Sequence, residues 1–420
     1  MQETAHFYER GNMKYTEYEK KTLGNLFRYL RNKNELLISN IIDQICSEKT
    51  YREIEKGIIK KDKYYEELIH RFGYTYQTIN ELKEWLNTFV PSFYHACDYM
   101  DEKAISNLYK QQKDYFSDKK DFILYQQYSL LFDYLFRYYK YDRYLTADEI
   151  REILTLLEFV EDESLKVLLI EVMDLSNWNE VCDQQLAQPI FDLLDEDCTN
   201  TIIMYHYSLK KEYDYEIFQS LKIFENLRDI LKNTDNDYRK CRTEIAIFNI
   251  IDSFEVDKAE NEMIPELLRL AKSKKIPRKL EISIYFNIAS HFYHVKHDYK
   301  TAYDYYSLSF KMDNSLKTTL LYLCSCCREL GYELPNELNN FKENISQYLE
   351  YFIRMKKGAS YKSLEDFIMH NIMDLLKFEK HYEPFWKMFE SELNLLVSET
   401  RDYSLLHNYR AIMKKYKVVI

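Results

Sequence analysis

Along the first 75 residues, apolar side chains recur at intervals of three and four, the period of a helix with one buried face. Leu23, Leu26, Phe27 and Leu30 form the first such face, and Ile38, Ile41, Ile42 and Ile45 the second. The third lies in CSEKTYREIEKG, Cys46 to Gly57. There Ser47 is placed to cap a helix start, Tyr51 and Ile54 point inward three apart, and Gly57 supplies a left-handed stop. Tyr65, Leu68, Ile69 and Phe72 make a fourth face, ended by Gly73. The pattern predicts four short helices with a very short link between the second and third.

The same period continues downstream. Tyr74 to Val90 predicts a linker and a connecting helix stopped at Pro91. LTADEIREILTLLEFV opens on a Thr146 to Glu149 capping box and sets Ile150, Ile153, Leu154 and Leu157 on one face. Two later segments repeat each other. EIAIFNIIDSF carries Phe248, Asn249, Ile250 and Phe254; EISIYFNIASHF carries Phe286, Asn287, Ile288 and Phe292, 38 residues further on, near the length of one two-helix repeat. A weaker echo is EYDYEIFQSLKIF, where Asp214-Tyr215 matches Asp298-Tyr299. Ile284, Asn287, His291 and His294 share one stripe facing away from the packing side of Ala289 and Tyr293, and Asn249 takes the equivalent place one repeat earlier. An Asn side chain both donates and accepts, so a ladder of them suits the backbone of an extended peptide. The alternative is a row of solvated polar positions.

Composition narrows the fold. The 420 residues hold six Gly and six Pro, and Gly11, Gly24, Gly57 and Gly73 all precede position 75. A parallel α/β fold needs glycine at its strand-to-helix turns and phosphate loops, so this scarcity argues for long, densely packed helices. The 40 Tyr suit helix-to-helix packing in which one end of the ring reaches water. The expectation is an all-α chain: residues 1–75 a four-helix domain, 76–100 a linker helix, and 101–420 a helical repeat domain.

Charge and chemistry narrow the function. The net charge is −11, yet the first 75 residues carry 14 Lys and Arg against 12 Asp and Glu, leaving 44 against 57 for the rest. The acidic bulk argues against wholesale coating by nucleic acid and leaves open a local basic patch on the N-terminal piece. No run approaches the roughly 18 apolar residues of a membrane span, and MQETAHFYERG lacks a signal-peptide pattern. A cytoplasmic protein with eight reduced Cys is expected. His291, His294 and His297 lack a nearby carboxylate to complete a metal set, and Cys324, Cys326 and Cys327 lack a second pair, so neither is read as a metal site. With no phosphate loop, no nucleophile elbow and no zinc-protease motif, neither an enzyme nor a cofactor is expected.

Four compact helices with a very short second link have the layout of a helix-turn-helix domain. ICSEKTYREIEKG, with Leu23-Gly24 and LFRYLRNKNELL upstream, resembles the Xre/Cro type, whose third helix often ends in Ile-Glu-x-Gly, here Ile54 to Gly57. The resemblance makes the third helix the recognition helix. Ser47, Lys49, Thr50, Arg52 and Lys56 then face double-stranded DNA, Arg52 suited to guanine, with Lys49, Lys56, Lys60 and Lys61 on phosphates. Ile38 and Ile42 replace the usual polar and small residues of the second helix, and Glu48 and Glu53 bring negative charge close. The alternative is a domain that keeps the fold for packing and does not bind DNA.

Phe286, Ala289, Ser290, Tyr293, Ala302, Tyr306 and Ser309, with HDYKTAYDYYSLSFKMD, resemble the tetratricopeptide (TPR) pattern, which implies a right-handed α-solenoid with a concave groove. Both parts together resemble the RRNPP group of Gram-positive quorum-sensing regulators. That implies a homodimeric transcription regulator controlled by a short signalling peptide, held through Asn249, Asn287, His291 and His294. A Rap-like, peptide-responsive scaffold whose N-terminal helices bind another protein is the second reading.

Overall fold

The computed structural model describes residues 15–75, 79–178, 184–195, 198–252, 254–273, 275–315 and 317–333, with isolated positions 335, 390, 393–394, 397–398 and 401 and a last helix. MQETAHFYERG and most of the expected repeats beyond position 335 lie outside the described residues. Every regular element among the described residues is helical, as the glycine scarcity predicts. Two compact units are defined: residues 1–96, 102–143 and 151–169, and residues 97–101, 144–150 and 170–420. The first therefore reaches well past position 75.

In the first unit, α1 (Glu17–Lys33), α2 (Ile38–Ile42), α3 (Glu48–Ile54) and α4 (Asp62–Arg71) follow the four predicted faces. Thr16 caps α1 in a full capping box with Glu19. α2 is shorter than its apolar pattern: Ile45 falls outside it and only Ile41 is fully buried. Leu23, Leu26, Phe27 and Leu30 close on Tyr51, Ile54, Tyr65, Leu68 and Ile69. Two glycines set the spacing. A Cβ on Gly24 would lie 2.2 Å from the Ile54 carbonyl oxygen, so α1 and the end of α3 meet backbone to side-chain-free backbone. Gly57, at φ +71°, turns the chain against Lys21, whose Cα a Cβ would approach to 2.6 Å.

The connecting helix does not stop at Pro91. α5 runs from Ile79 to Asp98 with Pro91 inside it. Leu82, Leu86, Phe89, Val90, Phe93, Ala96 and Cys97 keep one face buried across the proline, so packing outweighs the one lost hydrogen bond. α6 (Glu102–Phe116) and α7 (Ile123–Tyr141) follow. Trp85 stacks on Phe89 and Tyr115 at 4.3 and 4.2 Å, and Phe93 meets Phe132 and Phe136. α8 (Ala147–Leu156) starts at the predicted capping box, Glu149 accepting from the Thr146 backbone N–H at 2.9 Å.

Past α9 (Glu163–Ser176) and α10 (Gln184–Phe191), consecutive helices of the second unit pack on one another. These are α11 (Thr201–Tyr213), α12 (Ile217–Leu231), α13 (Asp237–Ile251), then α14 (Val256–Lys258) and α15 (Ile264–Ala271) joined by a π-helical turn. α16 (Arg278–His294), α17 (Tyr299–Met312) and α18 (Lys317–Leu330) continue the stack, and α19 (Tyr403–Lys415) is the last helix described. Ala289 and Ala302 are fully buried between α16 and α17, letting the helices close while Tyr293 and Tyr306 fill the space beside them.

The echo at Asp214-Tyr215 has a different register from the one its letters imply. Asp214 ends α11, whereas Asp298 caps the start of α17 through the Thr301 N–H. The equivalent left-handed turn residues are Tyr215 (φ +62°) and His297 (φ +54°). Counted from them, Ser220 matches Ala302 and Phe224 matches Tyr306, and all four are fully buried.

Candidate functional site

The surface of α3 is built by local signals. Ser47 Oγ accepts from the Thr50 N–H at 3.2 Å and lies 2.9 Å from Thr50 Oγ1, fixing the helix start. Tyr51 and Ile54 are fully buried, which turns Ser47, Lys49, Arg52 and Lys56 outward; all four are exposed, and Thr50 is half-buried at the cap. Arg52 rests on Glu48, Nη2 at 2.7 Å and Nε at 3.2 Å from the same oxygen. Both side chains are more than half exposed, so this pair contributes at most about 1 kcal/mol and opens readily. Glu55 is drawn inward by Arg31 at 3.0 Å, which removes its charge from the outer face. Lys60 and Lys61 follow on the exposed segment after Gly57. Buried Lys20 donates to the Lys60 carbonyl at 2.7 Å and pairs with Asp62 at 2.6 Å, fixing that segment against α1. Lys61 lies over the Tyr64 ring.

The stripe on α16 is not one open surface. His291, read from its spacing as facing a groove, is fully buried. Its Nε2 lies 3.4 Å from Glu260, its Nδ1 4.0 Å from Asp252, and its ring faces Phe248, because α13 and the π turn cover that side of α16. Ile284 is buried on the same side. Asn287 is half-buried and donates to the Ser283 carbonyl at 2.8 Å, so its amide is occupied locally. Asn249 and His294 are exposed, His294 edge-on to Tyr322. The structure therefore does not bring the four together. Among the described residues no group of three or more His, Cys, Asp or Glu is placed to hold a metal. Cys326 and Cys327 are buried thiols, while the Cys324 side chain lies outside the described residues. Among the described residues no helix is long and apolar enough to cross a membrane.

Sequence reasoning missed an ionic centre in the second unit. Glu171 on α9 is fully buried and accepts from Arg239 Nη1 at 2.6 Å and Nη2 at 2.9 Å, and from Arg242 Nη1 at 2.5 Å. Arg239 also reaches Asp98 at 2.8 Å, and Asn236 donates to the Asp98 carboxylate and carbonyl. Fully buried His206 on α11 bonds Asp174 through Nδ1 at 2.5 Å, and its Nε2 lies 3.9 Å from Glu171. Burial alone raises a carboxyl, but Arg239, His206 and Arg242 outweigh it and hold Glu171 well below the usual carboxylate range. Burial lowers an imidazole, yet Asp174 and Glu171 outweigh it and raise His206 above its ordinary value. With His206 protonated, three cations face three carboxylates. The sequence signal is the RxxRxE spacing of Arg239, Arg242 and Glu244, with the two arginines three apart on one face of an otherwise buried helix.

No protein-family model, no curated protein and no solved structure matches the chain.

Proposed function

We propose that the chain is a peptide-responsive transcription regulator of the RRNPP type, binding double-stranded DNA through α3 as a homodimer in the cytoplasm. The observation that carries this reading is the division of α3 into a fully buried side, Tyr51 and Ile54, and an exposed side bearing Ser47, Lys49, Arg52 and Lys56, with Lys60 and Lys61 beyond it. Arg52 supplies the two-pronged donor that fits guanine, and the lysines neutralise phosphates. The sequential stacking of α11 to α13 and α15 to α18, with Ala289 and Ala302 at a close crossing, supports a TPR-like solenoid. Peptide contacts then fall to Asn249 and His294, since His291 is covered. Gel-shift binding to the protein's own upstream region, with steep loss of affinity as salt rises, tests the reading. Arg52→Ala and Lys49→Ala should weaken binding; unchanged binding would remove α3 from the interface.

The Rap-like scaffold reading is favoured by Leu37 and Ile58, which are 67% and 62% exposed on the same four-helix region, and by Glu48 against Arg52. Partner binding of that kind would weaken little with salt and would be lost in Leu37→Ser or Ile58→Ser.

A further inference from the structure

One face of α1 serves the four-helix core; a second face is fastened to other helices of the first unit. Tyr18 and Tyr29 are eleven residues apart, three turns, and so share that second face. At its far end, Glu152 accepts from Tyr29 and from Tyr134 of α7 and pairs with Lys33 at 2.5 Å. At its near end, Lys83 of α5 lies 4.5 Å over the Tyr18 ring and pairs with Glu161 at 2.7 Å. The Glu161 end borders a cavity of about 190 Å³.

That cavity has an apolar floor of Leu82, Leu86, Leu124 and Phe159, and a mouth carrying Lys83, Glu161 and Asp162. Pockets for drug-sized ligands run to about 300–1,000 Å³, so this one takes a molecule the size of a single residue. The floor requires a short apolar group. The mouth offers one ammonium and two carboxylates, so it complements a ligand bearing both charges. The Lys83–Glu161 pair has both side chains about half exposed (41% and 47%), and opening such a pair costs little. A zwitterion inserted there replaces one ion pair by two, its carboxylate on Lys83 and its ammonium on Glu161 and Asp162.

We propose that this pocket binds a single free α-amino acid with an aliphatic side chain, and that its occupancy sets how firmly α1 is held against α5 and α7. Because Tyr18 and Thr22 of α1, Leu82, Lys83 and Leu86 of α5, and Leu124 of α7 line the same cavity, a bound ligand bridges the three helices. The site stands independently of any DNA or peptide reading.

The test is calorimetry and thermal melting of the full chain with leucine, alanine, leucinamide and N-acetylleucine. Leucine is expected to bind and to raise the melting temperature. Alanine, which leaves the floor uncovered, and the two derivatives, each lacking one charge, are expected to bind at least about tenfold more weakly. Lys83→Met should lose leucine binding while melting like the parent protein without ligand, and Leu86→Trp should lose it by filling the floor. The proposal is overturned if none of the four compounds gives heat or a melting shift, if leucinamide or N-acetylleucine matches leucine, or if folded Lys83→Met binds leucine as before. Should Leu86→Trp fail to fold, the Lys83→Met and derivative arms decide alone.

Discussion

Helices α1 to α4 and the centre formed by α9, α11 and α13 are two ways of ordering a helical core. In the first, apolar faces three and four residues apart close on one another, caps are local, and two glycines let backbone approach backbone. In the second, charge is buried, and the partners come from distant parts of the chain: Arg239 reaches Glu171 across 68 positions and Asp98 across 141. Apolar packing tolerates small errors at graded cost. A buried ion cluster does not, because any group left unmatched keeps its full desolvation penalty. The α1–α4 region is ordered chiefly by shape, with Lys20–Asp62 and Arg31–Glu55 as separate pairs, and the ionic centre by complete pairing.

Breaking the pairing should give the largest effect. Glu171→Gln leaves Arg239 and Arg242 facing one another in the interior and is expected to cost the second unit about 3–5 kcal/mol in denaturant unfolding. Breaking the shape comes next. Gly24→Ala drives a methyl into the Ile54 carbonyl and should cost about 3 kcal/mol, read as reduced protection of α1 and α3 amides from hydrogen exchange. A milder, reversible probe is pH. His206 has its pKa raised in the folded state, so its contribution is fully present below the unfolded value of about 6.5 and is lost as pH rises through the folded value. Glu171 has the opposite sign, its contribution present above the ordinary carboxylate value and lost as pH falls through the depressed one. His206→Gln should remove the alkaline slope of stability and leave the acid slope, whereas the same slope in both proteins would assign it to another group. The smallest effect belongs to the cap: Ser47→Ala should cost about 1 kcal/mol, measured by the shift of the chemical-denaturation midpoint.

Much of the α1–α4 region was legible because its determinants are local. Ser47, Gly57 and Gly73 act within a turn of where they stand, and the structure finds a capped start and two left-handed stops. Of the expected DNA contacts, the exposed ones on α3 follow from the burial of Tyr51 and Ile54, whereas Lys60 and Lys61 lie on the segment beyond it. Pro91 misled because a proline's local cost is fixed while the apolar face around it belongs to tertiary packing. His291 misled for a related reason. A stripe on α16 says which residues share a side but not whether another helix lies over it, and the π turn after α14 does. The ionic centre was invisible, since Arg and Glu read as surface residues until their partners are known.

The amino-acid pattern by itself determined that the described residues are helical, the start and stop of α3, the stop of α4, and the outward side of α3, because backbone propensity, capping and period act over a few residues. Which charges became interior, which histidine was covered and where a cavity remained beside Tyr18 were decided only by the packing of helices distant in sequence. Burial and pairing are properties of neighbours, and no single helix carries its neighbours in its own residues.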